Sequence, residues 1–331
     1  MVFLFSIGVL LLSATATFGA EAERVAKAKT EGQVVFYSTM GIDTVRPVTL
    51  AFEKKYPFLK VEALRLNSER VFNRVMVEHQ TGKVHADVVN LSVMPLLKAK
   101  GVLAPYRSPE AGAFPKKFRD PDDTWTGLVG NYYVIGYNTR LVPESQVPKD
   151  WFDLARPWWK GKLGLDVADY DWFGAMLEYL GPEKGERLMR DLAKQEINWR
   201  KGHSLLAQLV GAGEFAAALV YAHRTEITKE KGSPIEWVRT SKPIVVSQNA
   251  VAVLSKAPRP NAARLFVDFL MSEAGQKLLY DGGQIPLRSR VIPASSPLAA
   301  EELDLYPVSG EVMERFEQHQ KNFNKIFGIK P

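Results

Sequence analysis

The sequence predicts an α/β protein of two lobes, each a mostly parallel sheet flanked by helices. Three observations carry this. The 331 residues exceed what one compact core usually holds. Short apolar runs rich in β-branched and aromatic residues alternate with stretches of helical period, the pattern of a parallel sheet with crossover helices. Two long β-rich runs, near 131–138 and 244–254, separate the two alternating series and let the chain cross between lobes twice.

The elements follow in order. "GQVVFYST" is a β-prone run ending in small hydroxyl residues; Asp43 then stands as a helix cap before Val45, Val48 and Phe52 at helical spacing, and the helix ends before Pro57. "FLKVEALRL" is the second strand. Ser68 caps a helix whose apolar face is Val71, Phe72, Val75 and Met76, and "ADVVNLS" is a third strand leading into "VMPLLKAKG". "WTGLVGNYYVIGYNTRLVP" is a long aromatic strand. The second series then runs through "GKLGLDVADYDWFGAMLEYLG", "GERLMRDLAKQEINWRKG" and "SLLAQLVGAGEFAAALVYAHRTE" before the strand "IVVSQNAVAVLSKAP" and the helices of "NAARLFVDFLMSEAGQKLL". The expected organisation is a leader over 1–22, a first lobe from 23–130 and 250–290, a second lobe over 131–249, and a C-terminal helical tail over 291–331.

Composition narrows the function classes. Residues 1–20 carry no charge and give way abruptly to "EAERVAKAK"; the apolar core Val2 to Leu12 is too short to span a bilayer, so it reads as a secretory signal with an A-x-A-like site at Ala20-Glu21-Ala22. The expected mature chain is exported, to the periplasm or outside the cell. Cysteine is absent, which excludes disulfides, thiol catalysis and Cys-type metal sites. The net charge of +6 comes from Lys and Arg interleaved with Asp and Glu, a solvated surface with mild anion preference rather than a nucleic-acid stripe.

Several fragments that look like catalytic motifs fail on context. "GAGEFA", 211–216, follows a helix and leads into a strand, the reverse of a dinucleotide-binding turn. "GHSLL", 202–206, lacks the second glycine of a nucleophile elbow, and Ser204 reads as a helix-start residue. His79 and His85 are not spaced as H-E-x-x-H. An exported hydrolase or transferase on this sheet is therefore disfavoured, and no enzyme activity is expected.

The segments "GQVVFYST", "FEKKYPFLKVEALR", "NRVMVEHQTGKVHADVV", "YYVIGYNTRLV", "WWKGKLGL", "LVGAGEFAAALVY" and "KPIVVSQNAVAVLSKAPRPNAARLFVDFLMSEAGQKLL" resemble, in this order, the extracellular solute-binding proteins of bacterial ABC importers, in the branch that contains ferric-ion-binding proteins. The resemblance covers nearly the whole chain after the leader. It implies a two-lobed, hinged, monomeric carrier that closes on a small solute and presents it to a membrane permease. Closure follows ligand only if the closed state binds it better.

Candidate contacts sit on loops after strands, where such sheets bind ligands and where helix N-termini favour anions. From the first lobe these are Ser38, Thr39, Ser68 and Asn90, with Arg70 in a first helical turn. From the second they are Tyr170 and Asp171 in "YDWFGAM", Tyr221 at the strand end "LVYAHR", and Arg224. Arg74 reads as solvated and His223 as an exposed helix-start residue. A small anionic or polar solute is the leading expectation, with no cofactor. Ferric ion as transported cargo is the alternative: the ferric-binding relatives place two adjacent tyrosines at this strand end, whereas here Ala222 follows Tyr221 and "YSTMGID" has no histidine. For iron, Tyr221, Glu69 and Asp171 are the expected oxygen donors.

Overall fold

The computed structural model describes residues 21–299 and 303–329; the expected leader lies almost wholly outside them. In chain order the elements are α1 (21–31), β1 (Gln33–Ser38), α2 (Ile42–Lys55), β2 (Lys60–Arg65), α3 (Ser68–Thr81), β3 (Val88–Leu91), α4 (Met94–Ala99), β4 (Thr126–Asn138), β5 (Leu163–Asp166), α5 (Tyr170–Leu180), α6 (Pro182–Ala193), β6 (Asn198–Arg200), α7 (His203–Ala212), β7 (Ala217–Tyr221), α8 (Ala222–Glu230), β8 (Ile235–Trp237), β9 (Ile244–Val253), α9 (Pro260–Met271), α10 (Glu273–Asp281), β10 (Leu305–Pro307), α11 (Gly310–Glu314) and α12 (Phe316–Phe327). The described residues divide into two compact units, one of residues 21–126 and 250–282, the other of 127–249, 283–299 and 303–329.

In the first unit the strand order is β2-β1-β3-β9. β1 pairs in parallel with β2 (Gln33 opposite Lys60) and with β3 (Phe36 opposite Val88), while β9 closes the row antiparallel, Val88 opposite Val253. The period-2 alternation of β1 serves both faces. Val35 and Tyr37 join Val71 and Val75 of α3 and Ala250 and Ala252 of β9 in one buried cluster. Phe36 points the other way, its ring 5.1 Å from Phe266, which also meets Phe52 at 5.0 Å. Asn67 caps α3 by accepting from the Arg70 N–H at 2.8 Å, and Gly82 ends the helix at φ 70°, a conformation that glycine adopts without a Cβ penalty.

Gly275 marks the tightest approach in this unit. A Cβ there would lie 2.0 Å from the Phe269 carbonyl oxygen, where the α9–α10 corner folds back on itself. Backbone cannot yield as a side-chain tip can, so Gly275→Ala is expected to cost about 3 kcal/mol, read as a lowered denaturation midpoint.

In the second unit the order is β10-β9-β4-β7-β5-β6, with β8 also pairing with β4. β7 lies antiparallel to β4 and parallel to β5. Helix α7 packs on β5, β7 and α8, whereas α5 packs on α6, α11 and α12. The C-terminal segment is thus part of this unit's core: Phe323 is fully buried, and Gly174 of α5 is bare because a Cβ would meet Val312 at 2.7 Å and His319 at 2.8 Å. Pairing of β10 with β9, Leu305 opposite Ile244, ties the same segment to the sheet.

Candidate functional site

The first unit gathers its candidates where β1, β2 and β3 end. Ser38 and Asn90 are buried and bonded to each other: the Ser38 hydroxyl approaches Asn90 Oδ1 at 3.3 Å and accepts from the Met40 N–H at 3.1 Å, while Asn90 Nδ2 donates to the Ala250 carbonyl at 3.0 Å. These side chains clamp the ends of β1, β3 and β9. Thr39 is different. Its backbone N–H donates to the Asn90 carbonyl at 3.1 Å, yet its Oγ1 is buried with no hydrogen-bond partner among the described residues. Ser68, at the start of α3, pairs its hydroxyl with that of Ser92 at 3.1 Å. Glu69 and Arg70 are exposed in the first turn of α3. Arg74 is exposed, as expected, and also donates from Nε to Glu78, a buried acceptor one turn away, at 2.9 Å while lying over the Tyr37 ring.

The second unit concentrates more chemistry. β4 and β7 pair so that Tyr133 lies directly opposite Tyr221, their rings 5.0 Å apart and inclined at 70°. The Tyr221 hydroxyl donates toward that of Tyr133 at 3.4 Å, and Tyr133 donates to Asp171 Oδ1 at 2.7 Å. Three oxygens from β7, β4 and the first turn of α5 therefore form one chain. Burial first, and the Asp171 charge second, raise both phenols well above the ordinary tyrosine value, so both are protonated at neutral pH.

Beside this chain stands a buried pair. His203, the first residue of α7, faces Tyr221 with ring centroids 3.8 Å apart; its Nε2 is 3.0 Å from Asp169 Oδ1 and its Nδ1 is 3.3 Å from the Leu219 carbonyl. Burial raises the Asp169 carboxyl to about 6 against the pull of His203. Burial acts to lower His203, but the charge and hydrogen bond of Asp169 outweigh it and hold the imidazole above its ordinary value. The two shifts have different causes: burial dominates at Asp169, whereas the partner's charge dominates at His203.

His223 corrects an expectation. The sequence reads it as exposed, but it is 4% exposed and lies nearly parallel to Tyr221 at 5.8 Å, because α8 begins inside the protein as β7 ends. Burial, Arg224 and His203 push it down to about 3, so it is neutral, and its Nδ1 has no hydrogen-bond partner among the described residues.

Of the second-unit candidates, Asp171 and Tyr221 come together. Tyr170 does not join them: its ring packs edge-on against Phe316 and Phe323 of α12. Arg224 lines a groove of about 380 Å³ between α7 and α8 with Ser204, Gln208 and Lys231. Sequence reasoning missed Tyr133 and Asp169. The available signal was the alternation in "NYYVIGYN", which puts Tyr133 and Ile135 on one face of β4, but the register with β7 was not readable. Among the described residues no group of three or more His, Cys, Asp and Glu could hold a metal ion.

Residues 84–304 match the model of the bacterial extracellular solute-binding proteins. The chain belongs to that family. Solute-binding proteins of this kind deliver their ligand to the permease of an ABC importer, and this one works outside the cytoplasm. No helix among the described residues is long and apolar enough to cross a membrane. The Fe(3+)-binding periplasmic protein of Serratia marcescens is 24% identical over 304 residues, covering 88% of this chain and 87% of its own. The iron-bound structure of HitA from Pseudomonas aeruginosa aligns with a TM-score of 0.77 at 21% identity, over 89% of this chain and 99% of that one. AfuA from Actinobacillus pleuropneumoniae, a periplasmic binding protein solved with fructose-6-phosphate, aligns with a TM-score of 0.73 at 23% identity, over 90% and 99%. Both structures support the two-lobed α/β fold expected of this solute-binding protein.

Proposed function

We propose that the solute is ferric ion and that Tyr133, Tyr221 and Asp171 are the donors from the second unit. The observation that carries this reading is the oxygen chain: Tyr221 to Tyr133 at 3.4 Å and Tyr133 to Asp171 at 2.7 Å. A hard trivalent cation wants several anionic oxygens close together. Two phenols and a carboxylate supply up to three negative charges once the cation displaces the phenolic protons. The second tyrosine that ferric-binding relatives place next to the first is Ala222 here, and Tyr133 offers a phenol from across the strand pair instead. Remaining coordination positions fall to water or to a small carboxylate anion. The ferric-binding relative in Serratia supports the reading. The protein acts as a monomeric carrier with no turnover of its own, handing its cargo to a membrane permease.

Because both phenols are protonated in the metal-free protein, binding through two phenolates releases two protons. Lowering the pH therefore weakens binding, by up to about 100-fold per unit while both protons are displaced. Competitive titration against a chelator of known pH dependence, between pH 5.5 and 7.5, measures this slope. A slope near zero would remove the phenols from the site.

A second reading rests on the first unit. The unpartnered Thr39 hydroxyl, the Ser68–Ser92 pair and the helix starts behind them favour an oxyanion, as in a phosphorylated sugar. The AfuA likeness fits this class. Thermal-shift measurement with ferric citrate and with hexose phosphates separates the two. Ferric ion is expected to raise the melting temperature and to give a visible tyrosinate band; stabilisation by the sugar phosphate alone selects the second reading.

A further inference from the structure

We infer that the second unit carries a separate ligand site, the groove between α7 and α8, and that this groove takes an elongated organic dianion with a hydroxylated body. Its space of about 380 Å³ is enough for a small metabolite. The inference does not depend on the ferric reading.

Sequence and topology build the groove. β6 and β7 both run parallel to β5, and α7 and α8 each follow the carboxyl end of one of these strands, so the two helices lie side by side and point the same way. They line the groove with the same spacing: Ser204, Gln208 and Gly211 along α7, and Arg224, Thr228 and Lys231 along α8 and its C-cap. Gly211 lets the walls close at one end, since a Cβ there would stand 2.9 Å from the Ser233 Cβ and 3.2 Å from the Thr228 Cγ2. The Thr228 hydroxyl is committed, donating to the Arg224 carbonyl at 2.8 Å.

The chemistry of the lining is one-sided. It includes two cations, Arg224 and Lys231, and no carboxylate. Neighbouring charges on α8 are engaged elsewhere: Glu226 accepts from Trp237 Nε1 at 2.5 Å, and Lys229 pairs with Glu236 of β8. The side chains of Ser204, Gln208, Arg224, Lys231 and Ser233 make no hydrogen bond or ion pair among the described residues. Arg224 is half-buried, and a guanidinium there without a counter-charge favours an anion; its planar fork suits a carboxylate or a phosphate. Arg224 and Lys231 are separated by about 10 Å along the helix axis, so one compact anion does not satisfy both. An acid at each end of an extended molecule does. Gln208 lies midway on the opposite wall with donors and an acceptor, and the free hydroxyls of Ser204 and Ser233 add to it, so the body between the acids is polar.

Glucarate, gluconate and adipate test this with metal-free protein, by isothermal titration at low ionic strength, where exposed charges are least screened. The three acids share a chain length; gluconate lacks one carboxylate and adipate lacks the hydroxyls. Glucarate is expected to bind saturably and about tenfold more tightly than gluconate, the effect of one hydrogen-bonded charge, and more tightly than adipate. Lys231→Ala is expected to bring glucarate down to the level of gluconate, and Arg224→Ala to weaken both. Neither side chain has a partner in the fold, so circular dichroism is expected to be unchanged in both variants. No saturable binding of glucarate, no preference for it over gluconate, or unchanged binding in either charge variant overturns the inference. With no metal present, that failure leaves the ferric reading intact, and a chain that takes up no ferric ion leaves this result standing.

Discussion

Tyr221→Phe is expected to abolish ferric binding, with a loss above about 100-fold, larger than outer-partner changes produce. The phenol oxygen is the end of the Tyr221–Tyr133–Asp171 chain, and phenylalanine keeps the ring but has no oxygen to give. Packing survives the change: the ring contacts with His203 at 3.8 Å and Tyr133 at 5.0 Å need no hydroxyl. One hydrogen bond, at the long distance of 3.4 Å, is lost, worth about 1 kcal/mol or less. Binding and stability therefore separate. Isothermal titration with ferric citrate beside a denaturant melt measures both. Tyr133→Phe is expected to match it in affinity but to cost more stability, since it leaves Asp171 without its 2.7 Å donor. Unchanged affinity in Tyr221→Phe would mean that the oxygen chain is structural.

Asp87→Ala is expected to destabilise the first unit by about 3–5 kcal/mol. Asp87 is fully buried just before β3, where its Oδ2 accepts from the Val35 N–H at 2.7 Å and from Arg259 Nε at 2.8 Å, and its Oδ1 accepts from the Arg259 N–H at 2.9 Å. Truncation strands two backbone donors and a guanidinium that is only 16% exposed. The cost arises from leaving that charge unpaired rather than from the worth of the pair, so Asp87→Ala with Arg259→Met is expected to recover part of the loss. Against a typical stability of about 5–15 kcal/mol the single change is severe. Urea denaturation followed by tryptophan fluorescence and circular dichroism gives the numbers. A loss under about 1 kcal/mol would show that water replaces the carboxylate.

Local patterns made much of this legible. The alternation of "QVVFYS", the apolar spacing of α3 and the turn at Gly213 each follow from side-chain period and backbone freedom, which neighbours in sequence determine. Asp171 and Tyr221 were readable as candidates because each stands at a strand end or helix start, where sheets of this kind expose their ligands. Tyr133 was not, since its role depends on the β4–β7 register, fixed by packing between segments 88 residues apart. His203 lies 18 residues before Tyr221, and only the parallel placement of β5 beside β7 brings Asp169 to it. Ser38 and Asn90 illustrate the reverse case. Their position at strand ends marks them as contacts, but the structure commits both side chains to holding strands together.

The most direct measurement is titration of the metal-free mature chain with ferric citrate, following the visible tyrosinate band with metal analysis of the bound fraction. One ferric ion per chain is expected, with a band that disappears in Tyr221→Phe. A chain that takes up no iron and shows no band, yet gains thermal stability from a phosphorylated sugar, would contradict the assignment.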